Sequence, residues 1–110
     1  MEQRKQTTGC FDDLMIEEKI LSILTLKGFK IPTPIQHQII PGAIEGKDVI
    51  GIAQTGTGKT LAFGIPMIQR LITSNTQGLI LVPTRELALQ VEEALSNIGN
   101  KLRLRTAVII

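Results

Sequence analysis

Residues 53–60 read Ala-Gln-Thr-Gly-Thr-Gly-Lys-Thr, and no other stretch restricts the fold of this chain as strongly. A glycine-rich loop closed by Lys-Thr has a specific physical use between a buried strand and a helix. The glycines let backbone N–H groups turn inward and line a concave nest for phosphate oxygens. The following helix adds its positive N-terminal end. Lys59 supplies a mobile charge for the outer phosphates, and the Thr60 hydroxyl can ligate Mg²⁺. Ala53 stands where the pattern GxxxxGK[ST] has glycine. A small residue suffices there if its backbone needs no left-handed conformation. The loop is therefore expected to hold phosphates with Ala53, Gln54, Thr55, Gly56, Thr57, Gly58, Lys59 and Thr60, although by itself it selects neither base nor reaction.

The flanking sequence fits that setting. DVIGIA (48–53) is short and β-branched and reads as a buried strand, and LAFGIPMIQRLI continues the loop as a helix that Pro66 should bend or interrupt. GLILV (78–82) and TAVII after Arg105 read as two more strands, with a helix over roughly 85–98 capped by Thr84 and ended by Gly99-Asn100. Upstream, Asp12 or Asp13 can cap a helix carrying Leu14, Ile20, Leu21, Leu24 and nearby Ile23 and ending at Gly28. Thr33 and Pro34 then form a cap and first-turn proline for a second helix, bent or broken by Pro41 and Gly42 and ended near Gly46. Apolar strands alternating with helices argue for an α/β fold, with a parallel sheet covered by helices through right-handed crossovers. The organisation expected is a flexible N-terminal arm over 1–10, a helical region over 11–46 and a phosphate-loop unit over 47–110.

Composition narrows the function classes. One cysteine and one histidine exclude a disulfide framework and a Cys/His metal site within the chain. A net charge of +2 is too small to imply nucleic-acid binding on its own. The start carries no apolar signal segment, and no apolar run approaches the ~18 residues that span a bilayer. No membrane partner is expected, and a cytoplasmic or nuclear location is the default.

GFKIPTPIQ (28–36), AQTGTGKT (53–60) and PTRELA (83–88) occur in that order, and with them the chain resembles the DEAD-box family of ATP-dependent RNA helicases from Phe11 onward. The first stretch resembles that family's Q motif, with Phe11 as its isolated upstream aromatic. The second resembles motif I, in which alanine at the first position is usual, and the third resembles motif Ia. The resemblance implies a partial RecA-like domain that binds ATP with Mg²⁺, with Gln36 reading adenine and Phe29 stacking on the base. It also implies that Pro83, Thr84 and Arg85 contact the RNA sugar-phosphate backbone without reading sequence.

The chemistry of these residues agrees with the resemblance. A glutamine amide can donate to adenine N7 and accept from the N6 amine in one bidentate pair, whereas guanine shows two acceptors on that edge. Spacing alone leaves Gln36 open as a surface-helix glutamine, Phe29 as core packing, His37 as a partly exposed helix residue and Arg85 as a solvated arginine beside a helix cap.

A working ATPase of this kind also needs an acidic element to hold Mg²⁺ and orient water. None of the ten acids follows an apolar strand in the required way, and Asp48 precedes its expected strand. The family's Asp-Glu-Ala-Asp box and its second RecA-like domain, the intramolecular partner that completes the ATP site, are not among these residues. The chain is thus expected to bind an adenine nucleotide without hydrolysing ATP efficiently. The competing expectation is a stand-alone nucleotide-binding module that never turns over.

Overall fold

A computed structural model of the chain describes residues 10–52, 58–74 and 76–110. Their regular structure comprises four α-helices, α1 Glu18–Leu26, α2 Pro34–Ile44, α3 Lys59–Thr73 and α4 Arg85–Gly99, with 3-10 turns at Phe11–Leu14 and Asn100–Leu102. The arm expected over 1–10 falls outside the described residues except for Cys10, which is exposed.

The helix expected from Asp12 or Asp13 is divided in two. Both carboxylates fall inside the 3-10 turn, and Met15 behind it is left-handed (φ 68°, ψ 20°). A left-handed residue cannot continue a right-handed helix, so α1 starts afresh with Glu17 as its N-cap residue. Its end is where the sequence placed it. Gly28 has φ 86°, its N–H donates to the Thr25 carbonyl at 3.1 Å, and the Phe29 N–H donates to that of Leu24 at 2.9 Å. Both bonds of a Schellman motif are thereby made.

α2 opens on a complete capping box at Thr33 with Pro34 in the first turn, and it runs through Pro41 unbroken. α3 likewise runs through Pro66 without interruption. A proline inside a helix costs about 3 kcal/mol, while each fully buried Ile or Leu contributes ~1.5–3 kcal/mol. Ile35 and Ile40 are buried in α2 and Leu61, Ile65 and Ile68 in α3, so the summed packing outweighs the lost hydrogen bond at both prolines.

α3 lies between α2 and α4. Its buried Leu61, Ile65 and Ile68 share one core with Ile20, Leu24 and Leu14 from the N-terminal region and Val91, Leu95 and Ile98 from α4. At Gly64 the two helices approach so closely that a Cβ would run into the Leu95 side chain.

The expected parallel sheet is the main departure. None of the described residues forms a strand, neither in 48–52, nor in 78–82, nor after Arg105. Ala53, the last residue of the first expected strand, is outside the described set. The physical reason is visible in the exposures. Ile50 and Ile52 are 89% and 90% exposed, Leu79 and Leu81 are 79% and 85%, and Ile109 is 93%. A strand exists through ladder bonds to a neighbour, and a parallel strand also needs both faces covered. These segments have a covering on one face at most. Ile80 and Val82 pack on the helical core while Leu79 and Leu81 face outward, the period-two alternation of an extended chain.

Candidate functional site

The capping box of α2 builds the centre of the site. Gln36 is the third residue of the helix, and its Oε1 accepts from the Thr33 N–H at 2.9 Å. Its Nε2 donates to the carbonyl of Gly58, 22 residues away, at 3.2 Å. These partners fix the amide without ambiguity, since an N–H must meet the oxygen and a carbonyl must meet the NH₂. Gln36 is 3% exposed, so it is a buried, oriented carboxamide and not a surface glutamine. One lone pair of Oε1 and one proton of Nε2 remain for a further partner.

Gly58 is the N-cap residue of α3 and has φ 85°, ψ 18°. That left-handed turn delivers the chain into Lys59 and Thr60, the first two residues of α3, both half-buried. The first N–H groups of a helix have no partner within it, and together with the helix dipole they favour an anion. Ala53, Gln54, Thr55, Gly56 and Thr57 lie outside the described residues.

The two phenylalanines are placed differently. Phe29, 41% exposed, lines an open groove of about 550 Å³ with Leu26, Leu61, Ala94 and Asn97, and Gln36 does not line that groove. Phe11 is 4% exposed and belongs to the hydrophobic core. Pro83, Thr84 and Arg85 are exposed together at the start of α4. The Thr84 hydroxyl accepts from the Leu87 N–H at 3.1 Å and so caps the helix. Glu86 stands in the first turn, where a carboxylate complements the dipole. His37 is exposed, as the sequence suggested.

Two polar devices escaped the sequence reading. Gln69 of α3 accepts from the Glu17 N–H at 2.7 Å and donates to the Met15 carbonyl at 3.2 Å. Its spacing from Ile65 and Pro66, four and three residues earlier on the buried side of α3, could have marked it as an engaged amide. On α4, Ser96 Oγ donates to Glu92 Oε2 at 2.6 Å, and the Thr106 hydroxyl donates to the same oxygen. These donors, Ser96 foremost, hold the Glu92 carboxyl below its ordinary value of 4.5. The cluster ties α4 to the segment after Arg105.

The comparisons with known proteins converge. The family model for the DEAD/DEAH box helicase matches residues 33–110. An ATP-dependent rRNA helicase rrp3 of Emericella nidulans is 47% identical over 102 residues, covering 91% of this chain and 22% of that protein. The ATP-dependent RNA helicase CshA of Limosilactobacillus reuteri is 46% identical over 101 residues, covering 90% and 20%. The crystal structure of the RNA-helicase Prp28 from Chaetomium thermophilum bound to ADP superposes with a TM-score of 0.78 at 35% identity, covering 86% of this chain and 25% of that one. A DEAD box protein from the hyperthermophile Methanococcus jannaschii gives 0.71 at 38% identity, covering 81% and 25%. The chain therefore spans a fifth to a quarter of the length of the relatives it matches. With the family model covering the stretch from the α2 cap through the phosphate loop to residue 110, the chain belongs to the DEAD/DEAH box helicase family.

Proposed function

We propose that this chain is the adenine-nucleotide-binding part of an ATP-dependent RNA helicase, with Gln36 as the base reader and residues 53–60 as the phosphate holder. The observation that carries this reading is the bond from Gln36 Nε2 to the Gly58 carbonyl. It links the base reader to the phosphate loop and leaves one donor and one acceptor on the amide, the complement of adenine's N7 and N6 amine. The relatives' names and the ADP in one solved neighbour support the choice of adenine.

In this reading Lys59 and the first N–H groups of α3 hold the outer phosphates. The Thr60 hydroxyl beside them would contribute one ligand to magnesium. Among the described residues no group of three or more His, Cys, Asp or Glu could hold a metal alone. The donor set thus fits a cation that arrives with the phosphates and, when bound, neutralises part of their charge. Phe29 offers its exposed ring for stacking on the base.

At the start of α4, Thr84 and Arg85 sit beside unpartnered N–H groups and suit an RNA phosphate. We read 48–53, 78–82 and the segment after Arg105 as strands of a RecA-like parallel sheet that pair when their outer faces are covered. The one-sided packing of Ile80 and Val82 favours this reading. Strand separation belongs to the whole protein, together with a second RecA-like domain. Among the described residues no acid is placed to orient an attacking water, so these residues alone are expected to hold ATP without efficient turnover.

Titration with ATP and with GTP tests the reading. The chain should bind ATP more tightly, and Gln36→Ala should erase most of the difference. Equal affinity of the unaltered chain for both nucleotides would overturn it.

A further inference from the structure

We propose that Gln69 is a positioning residue for the nucleotide site: its carboxamide fastens the N-terminal region that carries Phe29 onto α3, the helix that begins at the phosphate loop. The inference rests on the adenine-nucleotide reading above and extends it to a residue ten positions beyond Lys59 along the same helix.

The geometry is that of a backbone stand-in. Gln69 Oε1 accepts from the Glu17 N–H at 2.7 Å, and Nε2 donates to the Met15 carbonyl at 3.2 Å. The two bonds straddle Ile16, which is 6% exposed and sits in the core. Reversing the amide would set oxygen against oxygen and NH₂ against N–H, so only one orientation satisfies both partners. Sequence separations of 52 and 54 residues make this a tertiary fastening and not a local turn.

The fastened segment needs an external hold. Met15 is left-handed at φ 68°, a conformation that costs a residue with a side chain ~1–2 kcal/mol. Its carbonyl is the one Gln69 binds. Glu17, the N-cap residue of α1, makes no side-chain capping bond. α1 has nine residues, well short of the ~12–15 at which an isolated helix becomes marginally stable. The Gln69 amide therefore takes up the N–H of the N-cap residue itself, at the point where α1 begins.

Phe29 hangs from the opposite end of α1. Its N–H donates to the Leu24 carbonyl at 2.9 Å, and its ring lines the groove beside Leu61. α1 joins the two points within a single nine-residue helix, so a shift at Glu17 is passed along it to Phe29. Gln36 does not depend on this route, because its own bonds run to Thr33 and Gly58. Gln69 should thus govern the stacking side of the base site and leave the phosphate side untouched.

The test compares Gln69→Met, which keeps the length and removes both bonds, with Gln69→Glu, which keeps an acceptor for Glu17. ADP and inorganic pyrophosphate serve as probes on the full chain, and amide hydrogen exchange at Glu17 reports the fastening itself. Gln69→Met should lose protection at Glu17 and weaken ADP by about five- to tenfold, with pyrophosphate affinity changed by less than about twofold. Gln69→Glu should retain much of the protection and fall between. A parallel loss of ADP and pyrophosphate affinity would reduce Gln69 to a general fold contact and overturn the proposal. Unchanged ADP affinity despite lost protection would also overturn it. If the unaltered chain bound ADP no better than GDP, the adenine reading would fall first and take the positioning role with it.

Discussion

Replacing Gly58 by alanine tests how tightly the base reader and the phosphate loop are joined. Gly58 has φ 85°, and left-handed backbone costs a residue with a Cβ ~1–2 kcal/mol. The new methyl would also lie 2.6 Å from Gln36 Nε2 and 2.9 Å from Thr33 Oγ1, both inside contact distance. The amide must withdraw, losing its bond to the Gly58 carbonyl, ~1 kcal/mol, and disturbing the capping box, another ~1 kcal/mol. The sum is roughly 3–4 kcal/mol of folding stability. In urea unfolding followed by far-ultraviolet circular dichroism, the midpoint should fall by about 1–2 M. Adding Gln36→Ala removes the group that clashes, so the double variant should be less destabilised than the sum of the singles by about 1–2 kcal/mol. Strict additivity, or a single variant within ~0.5 kcal/mol of the unaltered chain, would refute the reasoning.

Three further outcomes are expected. Lys59→Ala should abolish measurable nucleotide binding while leaving the far-ultraviolet spectrum unchanged, because Lys59 is the side-chain cation expected at the outer phosphates; retained affinity in a titration would count against the site. Arg85→Ala should weaken single-stranded RNA binding evenly across sequences and lower the slope of log affinity against log salt by about one, and a changed sequence preference would contradict a backbone contact. Glu92 has its carboxyl lowered by the Ser96 and Thr106 hydroxyls, so its contribution is present above the ordinary value of 4.5 and disappears as pH falls through the lower folded value. Melting temperature should therefore favour the unaltered chain over Glu92→Gln at neutral pH, and a lead that persists in strong acid would contradict the cluster.

The parts of this chain legible in the sequence are those fixed by local chemistry. Thr33-Pro34 and Thr84 cap their helices because a hydroxyl one residue before a helix can take up an orphan N–H. Gly28 ends α1 because a residue without Cβ enters the left-handed turn freely. Gln36 was legible as a candidate, but its burial was not, since that depends on Gly58 arriving from 22 residues away. Long-range partners escaped for the same reason: nothing near Gln69 or Glu92 in the sequence names Glu17 or Thr106. The expected strands are not formed among the described residues: their apolar pattern records what the segments can bury, whereas pairing depends on neighbours, and Ile50, Ile52 and Leu79 stand open. Pro41 and Pro66 show the converse, with buried isoleucines overriding a local breaker.

The central claim is that the Gln36 carboxamide reads adenine while tied to the phosphate loop, and its own side-chain NH₂ resonances test this most directly. In a titration followed by nuclear magnetic resonance, saturating ADP should shift both Gln36 Nε2 proton signals and protect the pair from exchange. GDP and pyrophosphate should leave the base-facing proton nearly unmoved. Saturation with ADP that moves the phosphate-loop amides but not the Gln36 side chain would contradict the account.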